Sequence, residues 1–591
     1  MFFQALRIAL MQWLEPVIKY LKPLLDRLPR LPSISDRLTA ILVLCGLMAL
    51  AFLVRCLHLF DANHYFILSP DSYFFHWVAQ GIMAGEAPPI SPGAASAYTL
   101  HSGLAYPLAY IAKAASYIFH LSSADALNLV AKFLPPVLSV ISMAVMYLAA
   151  SRIYNKTVGL FSALAWGFML HAFMVGTAGY IDRDVLSQLL LVIGAFLFYF
   201  SGSWHLKVGN RDVGWLVAGL GVLGIEVMLY LEWLFVGPVL LLAVVVFYFV
   251  VRLLLEYIGR MKTQSGAMRR LTVAVSRLNW RGFALVISGN IAAVALIATM
   301  RPGEIGYLLS FGVSLIQEQF KGEVAVAELA GLSPLDLIAY EFFWVPMVIG
   351  LYLAWVRREE GTIFFACWFL GLLILSLFAK RILLYAAPGA CLLSGVGLAF
   401  LWGWMRQGGS QALKKAGVAA LLFLTVLLPA YGAYSMGGIA APSREWQEGL
   451  AYLREETPQD ARVMSQWSWG YWILDLGQRR PLVDNGYYGY DEERLRDVGL
   501  AYAATEPAQA AELMRKWDVE YLVFSESDLD FSSQILNWAE LSDEHDDFPV
   551  DSLVVRSLNG QFESGGGLKV VYRSEPDGEV VILKLSEASY P

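Results

Sequence analysis

The sequence predicts a polytopic α-helical membrane protein with a mixed α/β domain at its C-terminal end, and three observations carry that expectation. Of 591 residues, 57% are hydrophobic and only 16% charged, a balance that repeated bilayer crossing explains and that a soluble domain does not need. Apolar runs of spanning length recur from about residue 39 to about residue 436. From about Ala440 the composition turns to mixed charge with short β-like runs. The net charge of −7 argues against a nucleic-acid partner. Cys45, Cys56, Cys367 and Cys391 all fall in apolar runs, so the spacing shows neither a disulfide framework nor a zinc site.

Met1 to about Leu28 places Phe2, Leu6, Leu10, Trp13, Val17 and Leu21 at helical spacing among Arg7, Lys19, Lys22 and Arg27. That pattern predicts an interfacial amphipathic helix within a cytoplasmic segment 1–38, since charge interrupts the apolar residues and no small-residue cleavage site follows. The first strong span covers about 39–59. Further runs lie near 128–150, 157–177, 185–202, 213–231, 234–252, 283–300, 337–356, 362–379, 382–404 and 416–436, about eleven in all. The polar stretch Asp61–Ser102 and the mildly apolar Leu104–His120 read as an outer loop carrying a re-entrant or interfacial segment.

Basic residues test this count. Arg27, Arg30 and Arg37 precede the first span, and Arg152/Lys156, Lys207/Arg211, the Arg252–Arg281 loop, Arg357/Arg358 and Arg406/Lys414/Lys415 fall on alternate connections. The positive-inside rule puts that face and the N-terminus in the cytoplasm. The opposite, outer face then holds the loops 61–127, 178–184 and 301–336, and the C-terminal domain, 439–591. Within that domain Tyr521–Phe524, Val570–Tyr572 and Val580–Leu583 read as strands and Pro507–Trp517 as a helix.

The outer loops carry the chemistry. Gly179-Tyr180-Ile181-Asp182-Arg183-Asp184 sets two carboxylates one residue apart, and such a pair repels unless a positive charge intervenes, a hard divalent cation being the usual one. A D-x-D spacing also occurs in solvated turns. Asp71, before an aromatic run that includes His76, and one of Glu318, Glu323 and Glu328 in the third loop would complete a four-carboxylate shell for Mg²⁺ or Mn²⁺. Arg381, beside Lys380 at the outer end of a span, fits either a snorkelling anchor or a diphosphate clamp. His76 reads as interfacial.

Asp71, the G-Y-x-D-x-D of Gly179–Asp184, R-I-L-L-Y-A-A-P from Arg381 to Pro388, and Ala325-Val326-Ala327-Glu328 before Ser333-Pro334 together resemble the catalytic subunit of oligosaccharyltransferases, the single-chain bacterial and archaeal enzymes of N-glycosylation. The resemblance runs from about residue 39 to Gly486 and implies a GT-C-type fold, usually of about thirteen spans. It implies en bloc transfer of a glycan from a polyprenyl-diphosphate donor to the side-chain nitrogen of Asn in an N-X-S/T sequon of an acceptor polypeptide. It also implies a metal, Mn²⁺ or Mg²⁺, held by Asp71, Asp182, Asp184 and Glu328, with Asp71 and Glu328 taking the two amide hydrogens and Arg381 the departing diphosphate. A single-subunit enzyme of the cell inner membrane, with its C-terminal domain periplasmic, is the expectation.

The acceptor-reading signature W-W-D-Y-G corresponds to Gln466-Trp467-Ser468-Trp469-Gly470, so Gln replaces the first Trp, Ser the Asp and Trp the Tyr. Losing the charged acceptor predicts a weaker or relaxed contact with the sequon hydroxyl, although a Ser hydroxyl still accepts or donates. Tyr340, where some members carry Arg, predicts no need for an acidic residue before the acceptor Asn. Trp467 and Trp469 equally suit a domain core, Glu318 and Glu323 a solvated loop face, and Asp484-Asn485-Gly486 a turn. Two other readings remain at this stage: a related polyprenyl-dependent transferase of single sugars or of O-linked glycans, and a non-enzymatic transporter or receptor.

Overall fold

The computed structural model describes residues 36–60, 67, 69–85, 103–201, 207–208, 211–212, 221–222, 224–225, 236–259, 280–300, 343–357, 359–377, 380–407, 417, 423, 442–485, 492–541, 547–575 and 578–586. The amphipathic segment, nearly all of the runs 213–231 and 416–436, and the third outer loop with Glu318, Glu323, Glu328 and Tyr340 lie outside these residues.

The membrane part begins with α1 (Arg37–Arg55), whose first turn is capped by the Asp36 carboxylate accepting from the Thr39 amide at 2.7 Å and the Leu38 amide at 3.2 Å. Next follow α2 (Pro70–Ala84) and α3 (Ala105–Phe119). Then come α4 (Ser123–Ile153), α5 (Lys156–Phe168), α6 (Leu170–Met174) and α7 (Arg183–Ser201). A two-residue ribbon pairs β1 (Lys207–Val208) with β2 (Arg211–Asp212). Beyond it lie α8 (Val236–Gly259), α9 (Trp280–Met300), α10 (Trp344–Arg357), α11 (Glu360–Ser376) and, after a 3₁₀ turn at Lys380–Ile382, α12 (Leu383–Gln407).

Four described helical stretches are long and apolar enough to cross a bilayer: Arg37–Arg55, Ser123–Ile153, Arg183–Phe200 and Lys380–Arg406. The protein is a multi-pass membrane protein. Over its 18-residue apolar window, Lys380–Arg406 is 89% buried inside the protein but Arg37–Arg55 only 17%, so α12 forms the centre of the bundle and α1 its rim. α12 packs on α5, α10 and α11. Gly397 permits the tightest of these approaches, because a Cβ there would overlap the backbone carbonyl of Pro346 on α10.

One expectation changes. The run 157–177 is not one helix: the chain leaves helical geometry at Met169 (ψ 128°) between α5 and α6. The buried guanidinium of Arg55 fills this break, its Nη1 donating to the Gly167 carbonyl at 2.7 Å, where the end of α5 carries partial negative charge. α3 has fifteen residues, about 22 Å at the helical rise, short of a hydrocarbon core of roughly 30 Å. Its Tyr110, Tyr117 and Phe119 are exposed, which supports an interfacial placement.

The C-terminal domain starts with α13 (Arg444–Glu456) and holds a six-stranded sheet. The strands are β3 (Arg462–Met464), β4 (Arg480–Pro481), β5 (Tyr521–Ser525), β6 (Ser564–Gly565), β7 (Leu568–Arg573) and β8 (Val580–Leu585). Their order is β4-β3-β5-β8-β7-β6, with β3 parallel to both β4 and β5 and the remaining pairs antiparallel. All five residues of β5 are buried, as a central strand of mostly apolar residues should be. Its companions α14 (Gly470–Asp475), α15 (Glu492–Ala503), α16 (Pro507–Lys516), α17 (Ser527–Asp530), α18 (Ser532–Trp538) and α19 (Leu553–Leu558) include the helix expected at Pro507.

One hydrophobic core joins the two parts. Tyr73, Phe74 and Phe75 of α2, Leu108 of α3 and Leu127 of α4 cluster with Trp446, Trp469, Tyr471, Trp472 and Val523 of the C-terminal domain. Phe74 meets Tyr471 with ring centroids 5.0 Å apart, and Tyr73 stands edge-on to Trp472 at 6.4 Å. Aromatic residues expected at the headgroup interface are in fact packing against the outer domain.

Candidate active site

The acids of the D-x-D pair sit where the chain turns from α6 into α7. Gly179 holds a left-handed φ of 76° there, its amide donating to the Lys132 carbonyl at 3.0 Å, while the Ala178 amide donates to the Arg55 carbonyl at 3.1 Å. Backbone from α1 and α4 therefore fixes the turn. Asp184 falls in the first turn of α7 and Asp71 in the first turn of α2, after Pro70 at N1, so each acid stands at the positive end of a helix.

Asp182 and Asp184 are each only 4% exposed. Arg381, arriving from the 3₁₀ turn before α12, places its Nη2 3.2 Å from Asp184 and 3.9 Å from Asp182. The Tyr385 hydroxyl, one helical turn on, donates to Asp184 Oδ1 at 2.6 Å. Burial, then the charge of Asp184, raises the Asp182 carboxyl above the usual carboxylate range; Arg381 and Arg183 pull the other way, and Asp71 adds to the rise. The site thus carries three acids against two guanidinium groups.

That surplus of acidic side chains, two of them buried and all with hard oxygen donors, fits a divalent cation. Among the described residues no three His, Cys, Asp or Glu side chains close on one point, and Glu328, the expected fourth carboxylate, lies outside them. Arg381 reaches Asp182 and Asp184, and the charge of Asp71 is felt at Asp182, so these four sequence-flagged residues lie in one region of the protein.

The C-terminal domain reaches into the same region. Asn485, expected merely to sit in a turn, donates from Nδ2 to Asp71 Oδ1 at 3.0 Å. His76, on the helix of Asp71, lies 3.0 Å through Nδ1 from Asp475 and 3.1 Å through Nε2 from Asn128 Oδ1. Both ring nitrogens face acceptors, an arrangement that the imidazolium form satisfies. Burial works against that form, yet the charge and hydrogen bond of Asp475 and the bond to Asn128 hold the His76 pKa above its ordinary value.

The acceptor signature folds as a 3₁₀ turn, Trp467–Trp469. Its first position is structural here: the buried Gln466 side chain receives the Ser468 amide at 2.7 Å and donates from Nε2 to Ser468 Oγ at 2.9 Å. Trp467 is part-exposed and stacked on Trp538 at 3.8 Å between centroids. Trp469 turns into the core, 7% exposed, against Trp472 and Trp446, its Nε1 donating to Asp528 Oδ1 at 2.6 Å. Burial pushes the Asp528 carboxyl up to about 7, partly offset by the hydrogen bonds from Trp469 and the Ser525 amide. Gly470 is buried where a Cβ would overlap Asp484 and the carbonyl of Val483. Trp467 and Ser468 are therefore the part-exposed residues of the turn, and Trp469 and Gly470 its buried support.

Tyr385, Asn485 and the His76–Asp475 pair are the residues that sequence reasoning missed. Only Tyr385, four residues after Arg381 and hence on its helical face, left a usable signal.

No family model matches the chain. It is 27% identical over 221 residues to the STT3B subunit of the dolichyl-diphosphooligosaccharide–protein glycosyltransferase of Oryza sativa subsp. japonica, a match covering 29% of this chain and 30% of the relative. Against the STT3 subunit of Dictyostelium discoideum the identity is 26% over 269 residues, covering 39% and 37%. With the dolichyl-phosphooligosaccharide-protein glycotransferase 1 of Pyrococcus furiosus it is 29% over 178 residues, covering 28% and 18%. These matches span little more than a third of any of the three relatives. The oligosaccharyltransferase AglB of Archaeoglobus fulgidus superposes with a TM-score of 0.66 at 14% identity, over 90% of this chain and 79% of that one. ArnT from Cupriavidus metallidurans superposes with a TM-score of 0.51 at 12% identity, over 92% and 98%. The fold is the GT-C membrane fold, and the named relatives by sequence are glycosyltransferases. By sequence the chain is similar, over part of its length, to subunits of dolichyl-diphosphooligosaccharide–protein glycosyltransferases, and by fold to the archaeal oligosaccharyltransferase AglB.

Proposed function

We propose that the protein transfers a glycan en bloc from a polyprenyl-diphosphate donor to the side-chain nitrogen of Asn in N-X-S/T-like sequons, with no acidic residue required before the Asn. The observation that carries this reading is the buried Asp182–Asp184 pair facing Arg381 in the region where Asp71 meets the C-terminal domain. The AglB structure, in complex with an inhibitory peptide and a dolichol-phosphate, supports a lipid-linked donor and a peptide acceptor; an Archaeoglobus fulgidus oligosaccharyltransferase in complex with Zn and sulfate supports a metal.

A carboxamide nitrogen is a poor nucleophile because its lone pair is delocalised. Asp71 and Glu328 would accept its two N–H hydrogens, favouring the twisted, localised form as the nitrogen attacks the anomeric carbon. Asp71, Asp182, Asp184 and Glu328 would hold Mn²⁺ or Mg²⁺, which when bound supplies positive charge toward the departing diphosphate. The planar fork of Arg381 matches a phosphate, so it would exchange its contact with Asp184 for the leaving group. Trp467 and Ser468 would meet the hydroxyl-bearing residue of the sequon. The N-terminus would be cytoplasmic and the C-terminal domain periplasmic, in the cell inner membrane, with one subunit sufficient for transfer.

The test uses purified protein, a polyprenyl-diphosphate oligosaccharide and Mn²⁺, offered Asn-X-Thr, Gln-X-Thr and Asn-X-Val peptides. Transfer to Asn peptides alone, lost with EDTA and in Asp71→Ala, is expected. Transfer of a single sugar, or to none of the Asn peptides, would instead point to a related lipid-dependent transferase.

A further inference from the structure

The hydrogen bond from Asn485 to Asp71 joins side chains 414 residues apart, one from each part of the protein. It is built with care. Val483 and Asp484 pass so close to Gly470 that no side chain fits there, which ties the position of Asn485 to the turn carrying Trp467 and Ser468. α14, which continues that turn, packs on α2, with Tyr471 against Phe74 and Asp475 paired to His76. The helix bearing Asp71 is thus gripped by the segment bearing the acceptor motif.

The other end of the amide makes its purpose legible. Asn485 Oδ1 is buried and, among the described residues, has no hydrogen-bond partner. An amide serving its own domain would satisfy both ends, since an unmatched buried acceptor is costly. Here the side chain is oriented through Asp71, and donation to a carboxylate oxygen requires Nδ2, not Oδ1, to face it.

We propose that Asn485 is a positioning residue: it orients the Asp71 carboxylate by donating to Oδ1, so that the active site is complete only with the C-terminal domain docked. The inference rests on the reading of Asp71 as a ligand of the site's cation. Partners that orient metal-binding carboxylates typically matter about ten- to a hundred-fold in metal affinity or activity.

The experiment is Mn²⁺ titration of the full-length protein by electron paramagnetic resonance, with kcat and peptide KM measured alongside, for the parent, Asn485→Leu, Asp71→Asn and the double variant. Expected for Asn485→Leu are Mn²⁺ affinity lower by about tenfold or more, a matching fall in kcat, and a peptide KM within about twofold of the parent. In the Asp71→Asn background the same change should leave Mn²⁺ affinity within about twofold, because Asn485 acts through Asp71. If Asp71→Asn weakens Mn²⁺ binding while Asn485→Leu does not, the positioning role is overturned and the metal reading stands. If Asp71→Asn leaves Mn²⁺ binding intact, both fall. Should Asn485→Leu misfold, Asn485→Asp, which keeps the volume but replaces the donor by an acceptor, must show the same drop in kcat; parent-like kcat in that variant overturns the role.

Discussion

The Tyr385 hydroxyl donates to Asp184 Oδ1 at 2.6 Å, a charge-assisted hydrogen bond between two buried side chains on different helices. It locks the rotamer of an acid that Arg381 holds from the other oxygen, at 3.2 Å from Oδ2. Tyr385→Phe keeps the ring and its packing and removes only the donor. Loss of such a bond costs about 1.5–3 kcal/mol, so kcat is expected to fall by ten-fold or more while peptide KM stays. Initial rates at saturating donor check this; an unchanged kcat would confine Tyr385 to packing.

Arg381→Ala leaves Asp182 and Asp184 buried without their nearest cation. Removing one partner of a buried ion pair destabilises by about 3–5 kcal/mol because the other charge remains desolvated. The variant should melt several degrees below the parent in EDTA, and Mn²⁺ should restore more of the loss than it adds to the parent, since a cation that binds only the folded state stabilises it. Melting curves in detergent with and without Mn²⁺ decide. A deficit indifferent to Mn²⁺ would mean that the carboxylates do not take a cation.

Packing at the centre of the bundle gives a structural control. Gly397 lets α12 reach backbone contact with α10, where a Cβ would meet the Pro346 carbonyl. Gly397→Leu is therefore expected to abolish stable protein, whereas Leu at Val348, which is 54% exposed, should be neutral. Monodispersity after size exclusion reports both.

What the sequence made legible was local. Asp182 and Asp184 stand one residue apart and Arg381 ends an apolar run, so spacing and membrane side alone flagged them. The run 157–177 misled because apolar composition cannot distinguish a continuous helix from one broken at Met169, and Arg55, which fills the break, reads simply as the basic end of α1. Asn485 and Asp475 were illegible for another reason: their partners, Asp71 and His76, lie 414 and 399 residues away, and neither Asn before Gly nor Asp after Leu carries any mark of a distant contact.

His76 and Asp475 predict a pH dependence of docking. The folded state holds the His76 pKa above its ordinary 6.5, so it binds a proton that the unfolded chain has released. The stabilisation is fully present below pH 6.5 and is lost as pH rises through the folded-state pKa. Tryptophan fluorescence unfolding of the full-length protein, which reports Trp472 beside Tyr73, should show a less stable C-terminal domain at pH 8.5 than at pH 6. His76→Gln should flatten that difference; a slope surviving the substitution would place its origin elsewhere.

Under the proposed function, selectivity at the sequon would follow from which partner Ser468 already has. Its oxygen accepts from Gln466 Nε2 at 2.9 Å, so one lone pair is engaged and the hydroxyl hydrogen remains to be donated outward. A carboxylate at this place would only accept, and would demand a hydroxyl hydrogen from Thr or Ser. Ser468 instead presents a neutral donor, worth about 0.5–1.5 kcal/mol, which corresponds to a preference of roughly two- to ten-fold for Asn-X-Thr over Asn-X-Val rather than near-absolute discrimination. Ser468→Ala should bring the two peptides to nearly equal kcat/KM by slowing only the Thr peptide, while Ser468→Asp should widen the gap. A parent enzyme that rejects Asn-X-Val by a thousand-fold would show that some other group reads the hydroxyl.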